Sequence, residues 1–349
     1  MNMPNHTKPW PTIPKNLNET EVSHTVQVAR GGSSRVFAVP GYDRRVIYKK
    51  YFEPRERPPL DLLVTKYAEL DSTSSHYIRE HLAWPVTTVH NTDDQAVGTL
   101  VVQAPEGFTA NLSTGRARIR DLNFLLYEER AARVNVQPAT TRQKIGLLHE
   151  LVSVLHWLQE QGLVHEDLAA HNLLWRLDEK PAVFVLDCDS LRLLSDENGQ
   201  PLFTTPDWTD PRVLGNEIPR PDNESTSYAV GLLVARVLGS PYWRPAPGRI
   251  APPSEESFPP ELGPFVTKAC NRSASERPNL EEWLIALEGA ATDTDRPALD
   301  RTTAPAADPT PTKPPPVQGR PVALYDRLAF AIGLAAGGMA AVLVLVRFL

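Results

Sequence analysis

Apolar residues recur along this chain at two spacings, and each change of spacing marks a predicted element. Ile145, Leu148, Leu151, Val152, Leu155 and Leu158 follow a 3.6-residue period, which predicts an amphipathic helix stopped near Gly162. Leu173-Leu174-Trp175 and the run from Ala182 to Leu186 flank Asp178-Glu179-Lys180-Pro181, predicting two short buried strands and a turn. Nearer the amino terminus, residues 26–39 alternate apolar and polar about Gly31-Gly32-Ser33-Ser34, the pattern of a hairpin. Residues 45–51 read as a further strand and residues 60–70 as a short helix. Residues 83–89 and 96–102 read as two strands about a polar turn at 91–95. Residues 228–238 are nearly all apolar and predict a buried helix, and residues 280–287 predict a closing one. Asn198-Gly199 lies between apolar residues, so residues 193–203 are expected to be short and self-paired.

The last apolar run differs in kind. Residues 328–346 are uncharged and, as a helix, would span about 28 Å, close to the hydrocarbon thickness of a bilayer. This predicts a single transmembrane helix flanked by Arg327 and Arg347. Gly333 and Gly337 form a G-x-x-x-G through which two such helices can pair as a homodimer. Residues 291–321 contain eight prolines and read as a semi-extended linker without a core. Residues 1–20 are polar and proline-bearing, and read as a disordered tail with no cleavable signal.

Composition narrows the class. A chain of 349 residues with 41% hydrophobic content can bury a sizeable core. Two cysteines, Cys188 and Cys270, give neither a disulfide framework nor a zinc spacing, which fits a reducing cytoplasm. A net charge of −6 argues against general affinity for nucleic acid.

The candidate chemistry lies in Leu163-Val-His-Glu-Asp-Leu-Ala-Ala-His-Asn-Leu-Leu-Trp175 and Val183-Phe-Val-Leu-Asp-Cys-Asp189. Asn172 follows Asp167 by five residues and Asp187 follows Asn172 by fifteen. A phosphoryl-transfer site uses this spacing to hold one carboxylate for the nucleophile and two oxygen ligands for magnesium. The segment resembles the catalytic loop H-R-D-L-x-x-x-N and metal-binding aspartate of the eukaryotic-like protein kinase superfamily. It is similar to a divergent bacterial branch of membrane-anchored kinase-like proteins, in which Asp187-Cys-Asp189 and Thr205-Pro-Asp-Trp208 replace the usual motifs. The resemblance covers roughly residues 21–289.

The resemblance implies an α+β, two-lobed protein-kinase-like fold with a carboxy-terminal transmembrane helix. The implied parts are a disordered tail (1–20), an upper lobe (21–104), a lower lobe (105–290), a linker (291–321) and a membrane anchor (322–349). It implies ATP and Mg²⁺ as cofactors. Asp167 would orient the acceptor hydroxyl, and Asn172 and Asp187 would hold the metal. Gly31, Gly32, Ser33 and Val36 would form a thinned phosphate loop, and Lys49 would take the V-A-I-K lysine position. Glu69 would be its partner on a short helix, and Gln103 would begin the hinge that meets adenine. With no signal sequence and a need for ATP, the large part would face the cytoplasm at the inner membrane.

Several positions depart from that family. Ala29 and Ser34 stand where two loop glycines would be, and Ala169 and His171 stand where a phosphate-steadying lysine or arginine would be. Asp189 replaces a glycine, either to assist metal binding or to raise the pKa of Asp187 by repulsion. The glutamate that would pair with Arg277 is absent, leaving Asp207 or Asp210 as substitute, and Thr226 replaces a loop-anchoring aspartate. Three functions follow: a protein kinase transferring the γ-phosphate to a serine or threonine hydroxyl, a non-catalytic pseudokinase scaffold, or a small-molecule phosphotransferase of the aminoglycoside type. Thr205-Pro-Asp-Trp208 and the Arg277-Pro278 turn favour the protein-kinase relatives.

Overall fold

The structure, a computed structural model, describes residues 9–23, 26–113, 115, 117–178, 180–196, 202–246, 258–271 and 273–293. The alternating amino-terminal third forms one six-stranded sheet. Its strands are β1 (Asn16–Asn18), β2 (Gln27–Arg30), β3 (Ser34–Ala38), β4 (Val46–Arg55), β5 (Pro85–His90) and β6 (Ala96–Val102), in the order β1-β5-β6-β4-β3-β2. β1 runs parallel to β5 and the other neighbours are antiparallel. Tyr48, Leu100 and Val102 are buried beneath it. Gly98 of β6 is required where it stands, because a Cβ would lie 2.6 Å from both the Lys49 carbonyl and the Tyr48 ring.

Between β4 and β5 the chain makes α1 (Pro58–Glu69) and α2 (Ser72–His81). Leu60, Leu63 and Val64 turn one face of α1 inward. Asp71 caps α2 by accepting the Ser74 N–H at 2.7 Å. After α2 the Ala83 N–H donates to the Val185 carbonyl at 2.8 Å, which ties the sheet to the helical remainder of the chain.

That remainder begins with a short hairpin of β7 (Thr109–Asn111) and β8 (Ala117–Ile119), then α3 (Asn123–Leu126) and α4 (Glu128–Arg133). In α5 (Thr141–Glu160) the six periodic residues are all buried. Thr140 and Gln143 close its first turn as a capping box, and Gly162 leaves its end at φ +71°. β9 (Leu163–Val164), β10 (Leu173–Leu177), β11 (Pro181–Val185) and β12 (Arg192–Leu193) follow; β10 pairs with β11 and β9 with β12. The chain continues through α6 (Pro211–Leu214), α7 (Asn223–Leu238), α8 (Gly263–Ala269) and α9 (Leu280–Asp293). α7 is buried from Ser225 to Leu238, and Trp283 of α9 is fully buried, its indole N–H donating to Ser227 Oγ at 3.2 Å.

Two expectations need correction. The architecture is a mixed α+β fold with a six-stranded sheet, and among the described residues no helix is long and apolar enough to cross a membrane. The expected span at 328–346, with Gly333 and Gly337, lies outside the described residues, as do residues 197–201 of the expected hairpin and the linker beyond Asp293. Nor are residues 9–20 a structureless tail. Asn16–Asn18 pairs with β5, and Trp10 lies under the guanidinium groups of Arg45 and Arg79, 5.5 and 4.9 Å from the ring centre.

Candidate functional site

Lys49 stands in the middle of β4, directly across from Val36 of β3 and Thr99 of β6, so the three share one face of the sheet. Strand alternation sends Lys50 to the other face, where it pairs with Glu19. Lys49 is only 8% exposed, and a buried ammonium needs counter-charge. Two carboxylates supply it: Asp187 Oδ1 at 3.1 Å and Asp189 Oδ1 at 2.6 Å. Burial works against the charge on Lys49, but the two carboxylates outweigh it and hold the pKa above its ordinary value.

Asp187 reaches Lys49 because of its backbone. It follows the apolar strand β11 and takes the left-handed conformation, φ 58° and ψ 29°, which aspartate tolerates better than most residues. Ser190 Oγ donates to its carbonyl at 2.7 Å, fixing the turn. The preceding Leu186 N–H donates to the Asn172 carbonyl at 2.8 Å, and His165 Nε2 lies 2.9 Å from the Leu186 carbonyl. The loops carrying Asp167, Asn172 and Asp187 are therefore bonded to one another.

Asp167 is oriented by several donors. The Asn172 amide donates to its carbonyl at 2.9 Å and to Oδ2 at 3.1 Å. The Thr205 N–H donates to Oδ1 at 2.9 Å and the Thr205 hydroxyl to Oδ2 at 3.2 Å. His171 Nε2 is 3.9 Å from the same oxygen. With its nitrogen committed, Asn172 keeps its amide oxygen as a potential cation ligand. Among the described residues no cluster of three or more His, Cys, Asp or Glu side chains is arranged for a metal. One carboxylate and one amide oxygen suit magnesium that arrives with phosphate oxygens and water rather than a cage made wholly of protein.

Gly31, Gly32 and Ser33, expected from the resemblance to form a phosphate loop, make the turn between β2 and β3. The Gly31 N–H donates to the Ser34 carbonyl at 2.8 Å, and the Phe52 N–H donates to the Ser33 carbonyl at 3.0 Å. Val36, across from Lys49, is buried.

Glu69 is not where the resemblance places it. Glu69 is nine residues on from Leu60, about 180° round the helix from that buried residue, so it faces solvent at the far end of α1. It borders a cavity of about 130 Å³ with Trp84 and Trp157 and does not pair with Lys49. Gln103 follows β6 directly and is exposed, and its N–H donates to the Arg45 carbonyl at 2.9 Å, continuing the sheet pairing, so that this donor is already engaged within the sheet. A larger cavity, about 610 Å³, lies by Arg55, Arg57, Asp61 and Asp94. Neither cavity is lined by Lys49, Asp167, Asn172 or Asp187. A site for a highly charged ligand is marked by converging polar groups rather than by volume, and those converge at Lys49.

Other residues went unforeseen. Tyr51 donates its hydroxyl to Asp189 Oδ2 at 2.9 Å, and Arg55 lies 3.6 Å from the same oxygen. Their even spacing from Lys49 along β4 was the available signal. Glu166, beside Asp167, is buried between Arg192 at 2.7 Å and Arg220 at 2.8 Å, which fastens both ends of the segment carrying Thr205 to the Asp167 loop. Of the two candidates for Arg277, Asp210 is the partner at 2.5 Å, while Asp207 pairs with the half-exposed Arg244. Thr226 donates to the Asp222 carbonyl at the start of its own helix.

No family model matches the chain.

Proposed function

We propose that this chain binds ATP with magnesium and transfers the terminal phosphoryl group to a serine or threonine hydroxyl of a protein. The observation that carries the reading is the convergence of Lys49, from the sheet, with Asp187, whose loop is hydrogen-bonded to the Asp167–Asn172 loop. ATP with its metal supplies the transferable group and neutralises charge on the phosphates. Lys49 provides a fixed cation for phosphate oxygens, and Asp187 and Asn172 would hold the metal. Asp167 accepts a hydrogen bond from the incoming hydroxyl, as it now accepts one from Thr205. The acceptor oxygen bonds to the γ-phosphorus, the bond to the bridging oxygen breaks, ADP leaves, and the hydroxyl proton passes by way of Asp167 to solvent.

A second reading, nucleotide binding without transfer, is favoured by one observation: both Asp167 oxygens already accept from Thr205. Incubation of the full-length chain with radiolabelled ATP and magnesium separates the two. Transfer to the chain or to a generic protein substrate, lost in Asp167→Asn while nucleotide binding persists, supports the kinase reading. Binding without transfer by the wild type supports the second, and no binding at all removes both.

A further inference from the structure

We infer that Asp189 is the positioning residue that holds Lys49 for nucleotide phosphate, a task that no carboxylate of α1 performs. The inference rests on the nucleotide-binding reading above and adds to it the identity of the group that fixes its cation. Asp189 and Asp187 both touch Lys49 but differ in kind. The Asp189 side chain is 1% exposed and engages Lys49 at 2.6 Å, the Tyr51 hydroxyl at 2.9 Å and Arg55 at 3.6 Å. The Asp187 side chain is 32% exposed and meets Lys49 at 3.1 Å.

Burial pushes the Tyr51 hydroxyl pKa far up, so it donates to Asp189 as a neutral phenol. The Arg55 guanidinium also lies over the Tyr51 ring, 3.9 Å from its centre, and keeps that ring against the carboxylate. From α1, Leu60 packs in an apolar cluster with Tyr51 and Ala96, so that helix contributes a wall behind Tyr51 and no charge.

The charge count gives this arrangement a use. Lys49 and Arg55 balance Asp187 and Asp189. Once the metal engages Asp187, Lys49 keeps Asp189, and the remaining side chains, Lys49, Arg55 and Asp189, carry one net positive charge, ready for a phosphate oxygen. Because Asp189 lies two residues after Asp187, the same short loop presents the proposed metal ligand and orients the lysine.

Acylation of the full-length chain with a small amine-reactive ester, read by peptide mass spectrometry, tests the inference. Lys50 serves as an internal reference, its side chain being 40% exposed. In the wild type Lys49, buried against two carboxylates, should react about tenfold or more slowly than Lys50, which is more exposed and paired with one carboxylate, that of Glu19, the scale of one further charge-assisted hydrogen bond. Asp189→Asn should remove most of that protection, Tyr51→Phe part of it, and Glu69→Ala none. In parallel, the KM for ATP should rise about tenfold in Asp189→Asn with a smaller change in kcat, and less than about twofold in Glu69→Ala. Equal deprotection by Glu69→Ala overturns the inference, as does an Asp189→Asn chain that melts cooperatively with Lys49 still protected. Should Asp189→Asn fail to fold, Tyr51→Phe and Glu69→Ala decide between the same outcomes. Failure of the wild type to bind ATP would remove the functional reading, while the acylation ratios would still decide which carboxylate holds Lys49.

Discussion

Replacing Lys49 by methionine keeps the length of the side chain and removes its charge. Asp189, 4% exposed, then retains Arg55 at 3.6 Å and the Tyr51 hydroxyl at 2.9 Å as its only charged and polar contacts among those found for it. Removing one partner of a buried ion pair costs roughly 3–5 kcal/mol. The remaining arginine places this case near the lower end, about 3 kcal/mol. At roughly 2–4 °C per kcal/mol the melting temperature should fall by about 6–12 °C. The double variant Lys49→Met/Asp189→Leu removes both charges, leaves the Tyr51 hydroxyl unpaired at a cost of about 1–3 kcal/mol, and leaves Arg55 without its carboxylate, a loss that the cavity beside Arg55 lets water offset. It should therefore be more stable than Lys49→Met alone and yet bind no ATP.

The pH dependence follows from the directions of the two shifts. Burial raises the Asp189 pKa, but Lys49 and Arg55 more than compensate and leave it below the ordinary 3.8. Its contribution is thus whole above 3.8 and disappears as pH falls through the lower folded value. The Lys49 pKa lies above the ordinary 10.5, so its contribution is whole below 10.5 and disappears as pH rises through the higher folded value. The stability difference between wild type and the double variant should be flat across the interval between and shrink at both extremes. Urea denaturation at several pH values, with ATP binding measured on the same samples, checks this. A Lys49→Met chain within 1 kcal/mol of wild type, or a double variant less stable than the single, would refute the reasoning.

Two further outcomes can be checked by denaturation. Asp210→Asn should cost about 3–5 kcal/mol because its carboxylate is fully buried between Arg277 and Arg212, whereas Asp207→Asn, paired with a half-exposed Arg244, should cost less than about 1 kcal/mol; equal losses would contradict the assignment. Gly231→Ala should destabilise by about 1–3 kcal/mol because its Cβ would lie 2.7 Å from that of Ala269, while Gly289→Ala, with nothing within 4 Å, should be neutral or stabilising.

Elements whose signal is local were legible in the sequence. The period of Ile145 to Leu158 matches α5, and the alternation on either side of the Gly31-Gly32 turn matches β2 and β3. Lys49 meets Asp187 and Asn172 meets Asp167 at hydrogen-bond distance, whereas the resemblance had given Lys49 Glu69 as its partner. What escaped depends on distant partners. Asn16–Asn18 has no strand pattern of its own and is a strand only because β5 offers an open edge. The choice between Asp207 and Asp210 turned on burial, which motif spacing does not report. The role of Asp189 depends on the left-handed turn at Asp187, invisible in a row of letters. The outward placement of Glu69 was legible, since the period set by Leu60, Leu63 and Val64 already points it away from the core.

Calorimetric titration of ATP into the full-length chain, with magnesium and again with a chelator, tests the central claim most directly when wild type and Asp187→Asn are compared. The account predicts single-site binding that weakens by about tenfold or more, some 1.4 kcal/mol, when magnesium is withdrawn. Asp187→Asn should show the weaker value with or without the metal. Binding that ignores both magnesium and Asp187, or no binding by the wild type, would contradict it.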